Sequence, residues 1–182
     1  MIMRNKKIFI CITGVLLLFL VVYNILFINI GDEMVFRYTE KIYITKDCNE
    51  KDLKKIGKLK KLSELETLSL DIKSFDFVYD LSRLKTLDIY IAPNLDMSFL
   101  PECLELETLY LFDTPLDTFE HISTLTMIKD IDLWCCDIYD ISGIKNLKKL
   151  ETFGLKNSKS GTSIKGLEEL SELPNLMTLT LC

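Results

Sequence analysis

The residues of this chain that could carry chemistry are few: one histidine, six cysteines and a set of aspartates lying among aromatic residues. His121 stands alone, two positions after Phe119 and beside apolar Ile122, which reads as a surface turn rather than a base held against a nucleophile. Cys135 and Cys136 are adjacent instead of spaced as C-x-x-C, so a thiol oxidoreductase would need one of them accessible with a lowered pKa. Cys103 falls in a column with Leu62, Leu81, Leu125 and Leu147, which predicts a buried structural thiol. Cys48 and Cys182 sit towards opposite ends, too far apart to pair within one chain, so either could link two chains. A phosphate-cradling glycine loop, a metal-ligand cluster and a nucleophile paired with a base are all missing from the sequence. Neither a catalytic residue nor a cofactor is expected.

A different constellation stands out. Tyr90, Phe112 and Trp134 are 22 residues apart, and Asp88, Tyr110, Asp130 and Asp132 precede them by two or four positions. Aromatics ringed by acids have the composition of a protein-binding hot spot. The same acids could attract a cation, but they lack the spacing of a calcium loop. The 182 residues carry a net charge of -5, and Arg4, Lys6 and Lys7 lie apart at the N-terminus, so the remainder is more acidic still. That balance excludes nucleic acid as a partner.

The elements that position these residues show as a repeat. LETLSL (65–70), LKTLDI (84–89), LETLYL (106–111), IKDIDL (128–133), LETFGL (150–155) and LMTLTL (176–181) begin 19, 22, 22, 22 and 26 residues apart. Three more apolar positions precede each at intervals of three, as at Ile56, Leu59 and Leu62 or at Ile141, Ile144 and Leu147. Spacing of three suits 3-10 turns, and the L-x-L alternation suits a short strand. A unit this short cannot bury its apolar side alone. Neighbours must therefore stack, with strands in one parallel sheet and turns on the opposite face.

These segments, above all DIYDISGIKNLKKLETFGL (137–155), resemble the bacterial 22-residue leucine-rich repeats of the internalin type. The resemblance covers about residues 53–182. It implies an α/β leucine-rich-repeat solenoid of about six repeats, with a parallel concave sheet, 3-10 or short helical convex turns, and protein binding on the concave side. The family's usual asparagine, eight residues after each first leucine, is replaced by Lys73, Ala92, Thr114, Cys136 and Ser158.

Between the inward leucines, three columns face the concave solvent side. The first is Thr67, Thr86, Thr108, Asp130, Thr152 and Thr178, ordinary for exposed strands. The second is Ser69, Asp88, Tyr110, Asp132, Gly154 and Thr180; the third is Asp71, Tyr90, Phe112, Trp134, Lys156 and Cys182. Tyr90, Tyr110, Phe112, Trp134, Asp88, Asp130 and Asp132 are the expected protein-binding residues.

Upstream, Lys41–Thr45 alternates as a strand and 49–61 reads as a helix capped by Asn49, a cap whose many lysines fit a solvated face better than a lipid surface. Ile8 to Ile30 carries no charge and is long enough for a transmembrane helix. It is too long for a signal-peptide core and has no small-residue cleavage site, and bulky Ile10 speaks against a lipid-modified Cys11. Basic residues before it, with Asp32 and Glu33 after it, predict a cytoplasmic tail (1–7) and an extracytoplasmic domain behind a single span in the cell membrane. Residues 31–52 then form a linker and cap, with the repeats over 53–182. The chain stops at Cys182 directly after the last strand, which suggests that a partner or a second copy covers that end or that the reading frame is cut short. Scarce alanine with abundant lysine, isoleucine and leucine is compatible with an AT-rich bacterial genome.

The reading is a membrane-anchored module that binds a protein near the membrane. A self-associating homodimer and a cytoplasm-facing scaffold are the alternatives.

Overall fold

The structure is a computed structural model describing residues 16–116, 118–157 and 163–182. A helix, α1, is described over 16–26 and leads into a hairpin of β1 (Phe27–Ile30) and β2 (Glu33–Phe36), which turns through Gly31 at a φ of 58°. Then come β3 (Lys41–Thr45), α2 (Glu50–Ile56), β4 (Glu64–Leu68), β5 (Thr86–Tyr90) and β6 (Thr108–Phe112). A one-turn helix, α3 (Glu120–Ser123), precedes β7 (Asp130–Trp134), β8 (Thr152–Lys156) and β9 (Thr178–Leu181). Strands β3 to β9 form one seven-stranded sheet in chain order, and every pairing is parallel. The returning segments carry 3-10 turns at Asp76–Asp80, Met97–Glu102, Ile144–Asn146 and Leu167–Glu172. Apolar residues three apart place one side chain per 3-10 turn on the same side. Phe75, Val78 and Leu81, or Ile141, Ile144 and Leu147, are buried this way against the strand leucines.

The first repeat is in a different register from the one its leucines suggest. β4 pairs with β5 as Leu65↔Leu87, Thr67↔Ile89 and Leu68↔Tyr90, so it lies 22 residues before β5. Thr67 occupies a core column and is fully buried, whereas Leu68 is exposed. The concave columns therefore begin Glu64, Glu66 and Leu68 instead of Thr67, Ser69 and Asp71, and the asparagine-equivalent position is Leu70 instead of Lys73. A threonine in a leucine column, with leucines at 65, 68 and 70, lets the pattern fit equally well three residues out of step.

The backbone marks the same period. Ser69, Ile91, Asp113 and Cys135, each following a strand, have φ of 56°, 59°, 49° and 55°. Each donates its N–H to the carbonyl ending the next strand: Tyr90, Phe112, Trp134 and Lys156, at 2.6–2.9 Å. Two residues beyond each of β4, β5, β6 and β7 lie Leu70, Ala92, Thr114 and Cys136, all buried. There the Thr114 hydroxyl accepts from Ala92 N–H at 3.3 Å, and Cys136 Sγ takes the backbone N–H of Thr114. Threonine and cysteine thus supply the inter-repeat bond that asparagine would make. From β8 to β9 the spacing lengthens to 26 residues, yet Thr152 still pairs with Thr178.

The apolar N-terminal run is not helical to its end. Residues 27–30 are the strand β1, with Ile28 and Ile30 buried, and β2 pairs along it from Phe36 to Glu33. Among the described residues no helix is long and apolar enough to cross a membrane, and residues 8–15 of the expected span lie outside them. Asp52 ties the hairpin to α2: its carboxylate takes Lys55 Nζ at 2.7 Å, Asn49 Nδ2 at 2.6 Å and the Gly31 backbone N–H, and Lys55 foremost holds its pKa below the usual carboxylate value. The hairpin thus packs on α2 within the stretch read as linker and cap. Asn49 caps α2 as expected, accepting from Lys51 and Asp52 N–H, but the helix stops at Ile56 instead of reaching Lys61. Gly57 follows, where a Cβ would lie 2.9 Å from the Phe77 carbonyl.

Candidate functional site

Strands β5, β6 and β7 deliver the predicted aromatics side by side. Register pairs Leu68↔Tyr90, Tyr90↔Phe112 and Phe112↔Trp134, so four adjacent strands present one continuous apolar row. Leu68, Phe112 and Trp134 keep 37%, 37% and 40% of their surface exposed, a contiguous apolar patch on one face of the sheet. The Tyr90 and Phe112 rings are 6.3 Å apart. Lys156, next in the row, sits 5.0 Å from the centre of the Trp134 ring, a cation–π contact supplied by the chain itself.

The neighbouring column runs Glu66, Asp88, Tyr110, Asp132 and Gly154. Trp134 Nε1 donates to Asp132 Oδ1. Gly154 makes room for that carboxylate, since a Cβ there would collide with Asp132 Oδ1. Tyr90, Tyr110, Leu111, Phe112, Asp132 and Trp134 line a depression of about 480 Å³.

Burial raises the pKa of Asp132, against the opposing pull of the Trp134 hydrogen bond. Asp88 is pushed up to about 6, chiefly by burial and then by the Glu66 charge, while Lys41 opposes. Its Oδ1 is enclosed and has no hydrogen-bond partner among the described residues. The Tyr90 and Tyr110 hydroxyls are likewise raised, by burial first and then by the surrounding carboxylates. Asp130 begins β7 in the first column, beside Thr108 and Thr152.

All seven predicted residues therefore share the concave sheet. Leu68 was missed because the register slip made it an interior leucine; counting 22 residues back from Tyr90 finds it. Glu64, Glu66 and Lys41 were hidden by the same slip. Lys41 reaches Glu64 at 3.2 Å and Glu66 at 3.9 Å, closing that end of the face.

The remaining chemistry-bearing residues do not join this site. Cys103 and Cys136 are buried, and burial pushes both thiols up to about 12, the reverse of what a reactive thiolate needs. Cys135 follows β7 in the left-handed backbone column. Cys48 is half-buried and Cys182 exposed. His121 lies in α3 on the convex side. The described residues hold no group of three or more histidine, cysteine or acidic side chains placed to bind a metal.

No protein-family model matches the chain, nor does any curated protein. Solved structures do. An internalin (inlF) from Listeria monocytogenes is similar at 20% identity with a TM-score of 0.60, over 70% of this chain and 36% of that one. Internalin C2 (inlC2) of the same species is similar at 17% identity with a TM-score of 0.54, over 81% of this chain and 74% of the other. The present chain thus spans about a third of the length of the first and three quarters of the second. At these identities the likeness is one of fold, and it agrees with the parallel sheet and the 22-residue period: the chain folds as a leucine-rich-repeat solenoid of the internalin type.

Proposed function

We propose that this protein is an interaction module whose concave face binds a partner protein close to a membrane. The observation that carries the reading is the open row of Leu68, Tyr90, Phe112 and Trp134 beside Tyr110, a desolvation-ready apolar strip with acids around it. The reading assigns no catalytic role to the buried thiols of Cys103 and Cys136, which burial pushes up to about 12.

Anchoring rests on the part of the uncharged run from Ile8 to Leu26, which ends where β1 begins. The α1 side chains from Leu16 to Val22 and Ile25 are exposed and apolar. Tyr23, Phe27, Phe36 and Tyr38 form a chain of ring contacts at 5.4–5.7 Å just where that run ends, in the manner of an interfacial aromatic belt. Arg37 Nε donates to the Asn24 and Phe27 carbonyls at 3.0 Å, placing a cation on the carbonyls at the end of α1. With Arg4, Lys6 and Lys7 held inside, the solenoid lies on the outer side of the cell membrane as a single-pass protein.

The test is crosslinking on intact cells with a membrane-impermeant reagent, comparing wild type with a folded Tyr90→Ser, Phe112→Ser, Trp134→Ser variant. A distinct protein captured by wild type and lost from the variant is expected. Self-crosslinks alone, unchanged in the variant, would make the protein a homodimer and overturn the concave-face reading. Capture only by a permeant reagent would place the solenoid in the cytoplasm.

A further inference from the structure

The charges on the concave face are unevenly settled. Glu64 and Glu66 at the β4 end are met by Lys41, and the other cation of the face, Lys156, is engaged by the Trp134 ring. In the middle, Asp88 and Asp132 flank Tyr110 in the same column, one strand to either side. Strand spacing puts each about 4.8 Å from the Tyr110 backbone. Asp88 Oδ1 is enclosed with no hydrogen-bond partner among the described residues, and an enclosed acceptor left open is costly to the fold. Within the same few strands lie four aromatic rings and the depression of about 480 Å³. A planar cation fits both halves of that arrangement, stacking on a ring face while its N–H groups reach a carboxylate beside it. The Lys156–Trp134 contact is an internal precedent for such stacking.

We propose that the depression seats an arginine side chain of a basic, extended segment of the partner, stacked among Tyr110, Phe112 and Trp134 and held by Asp132, with the Asp88 charge one strand beyond Tyr110 adding to its attraction. The inference rests on the concave face being the protein interface and names what that face recognises. Neutral residues of the segment lie along the Leu68 and Tyr90 end of the row, and its charge complements the acidic centre.

Trp134 is the chain's single tryptophan, so its emission reports on this depression alone. The full chain in nonionic detergent is titrated with a capped glycine pentapeptide bearing arginine at two alternate positions, and with its citrulline counterpart, which keeps the shape and loses the charge. A saturable change is expected with arginine and at least tenfold weaker binding with citrulline. An Asp88→Asn, Asp132→Asn variant is expected to bind the arginine peptide at least tenfold more weakly, with the single Asp132→Asn variant serving if the double one fails to fold. No saturable change, or equal binding of the arginine and citrulline peptides, overturns the proposal. If peptide binding fails while the triple serine variant still loses its crosslinked partner, the cation seat is wrong and the interface stands. If the variant keeps its partner, the interface itself is wrong.

Discussion

Strands β5, β6 and β7 end in two different kinds of surface. Just before these strands Lys85, Glu107 and Lys129 form a closed set, with both lysines 2.6 Å from the Glu107 carboxylate. The lysines hold its pKa down at about 2. At the C-terminal ends of the same strands, Tyr90, Phe112 and Trp134 stand open, with only Lys156 turned towards them. Both rows arise from one 22-residue period, so the solenoid imposes the spacing and leaves the chemistry free. A row whose charges are met within the chain aligns neighbouring repeats. A row whose rings and acids are left open is available to something else.

The sharpest way to break the comparison uses adjacent residues of β6. Leu111 is buried and Phe112 is exposed. Leu111→Ala should cost about 3 kcal/mol in urea denaturation through the cavity it leaves. Phe112→Ala should cost under about 1 kcal/mol and instead lose the crosslinked partner. Equal destabilisation by the two would erase the distinction between core and open row.

Asp88 gives the next largest effect, and its sign is opposite. Its folded-state pKa of about 6 lies above the ordinary carboxylate value of 3.8, so the folded protein takes up a proton between those pH values. The stability this brings is full below about pH 4 and lost as pH rises through 6. Asp88→Asn should therefore stabilise the chain by about 1 kcal/mol at pH 7.5, after discounting for partial solvent screening, and by almost nothing near pH 4. Urea midpoints at the two pH values measure this, and a pH-independent gain would count against it. The substitution that stabilises the fold is also the one expected to weaken the arginine seat.

Glu107 supplies the smallest effect. Its depressed pKa contributes stability above the usual value of 4.5, lost as pH falls towards 2. Because the contacts are partly exposed, Glu107→Gln should cost only about 0.5 kcal/mol near neutral pH and less in 1 M salt, by thermal or urea unfolding. A loss that persists undiminished at high salt would mean that packing, and not charge, is the cause.

The solenoid, the direction of its sheet and the shared face of the seven chosen residues were legible because apolar period and strand alternation fix them together. The register of the first repeat is not legible in the sequence, because Thr67 fills a leucine column without being apolar and the apolar pattern fits equally well three residues out of step. The column of left-handed residues at Ser69, Ile91, Asp113 and Cys135 could not flag the slip, since Ile91 is a side chain that seldom adopts that backbone. The uncharged run hid a strand because a hairpin tucked under a cap and a lipid-facing helix both require apolar residues. Asp88 was recognised as acidic rim. Its enclosure between Glu66 and Tyr110 depends on side-chain packing that no spacing encodes.

The longer step between β8 and β9 has an evolutionary consequence. Four residues beyond the usual 22 enter the connection there, and the pairing of Thr152 with Thr178 is unaffected. Insertions on the return path are thus invisible to the sheet. A lineage could lengthen or replace its outer loops without disturbing the inner surface, and could trade one inner ring or charge for another without disturbing the loops. Two faces of one repeat can diverge on separate schedules.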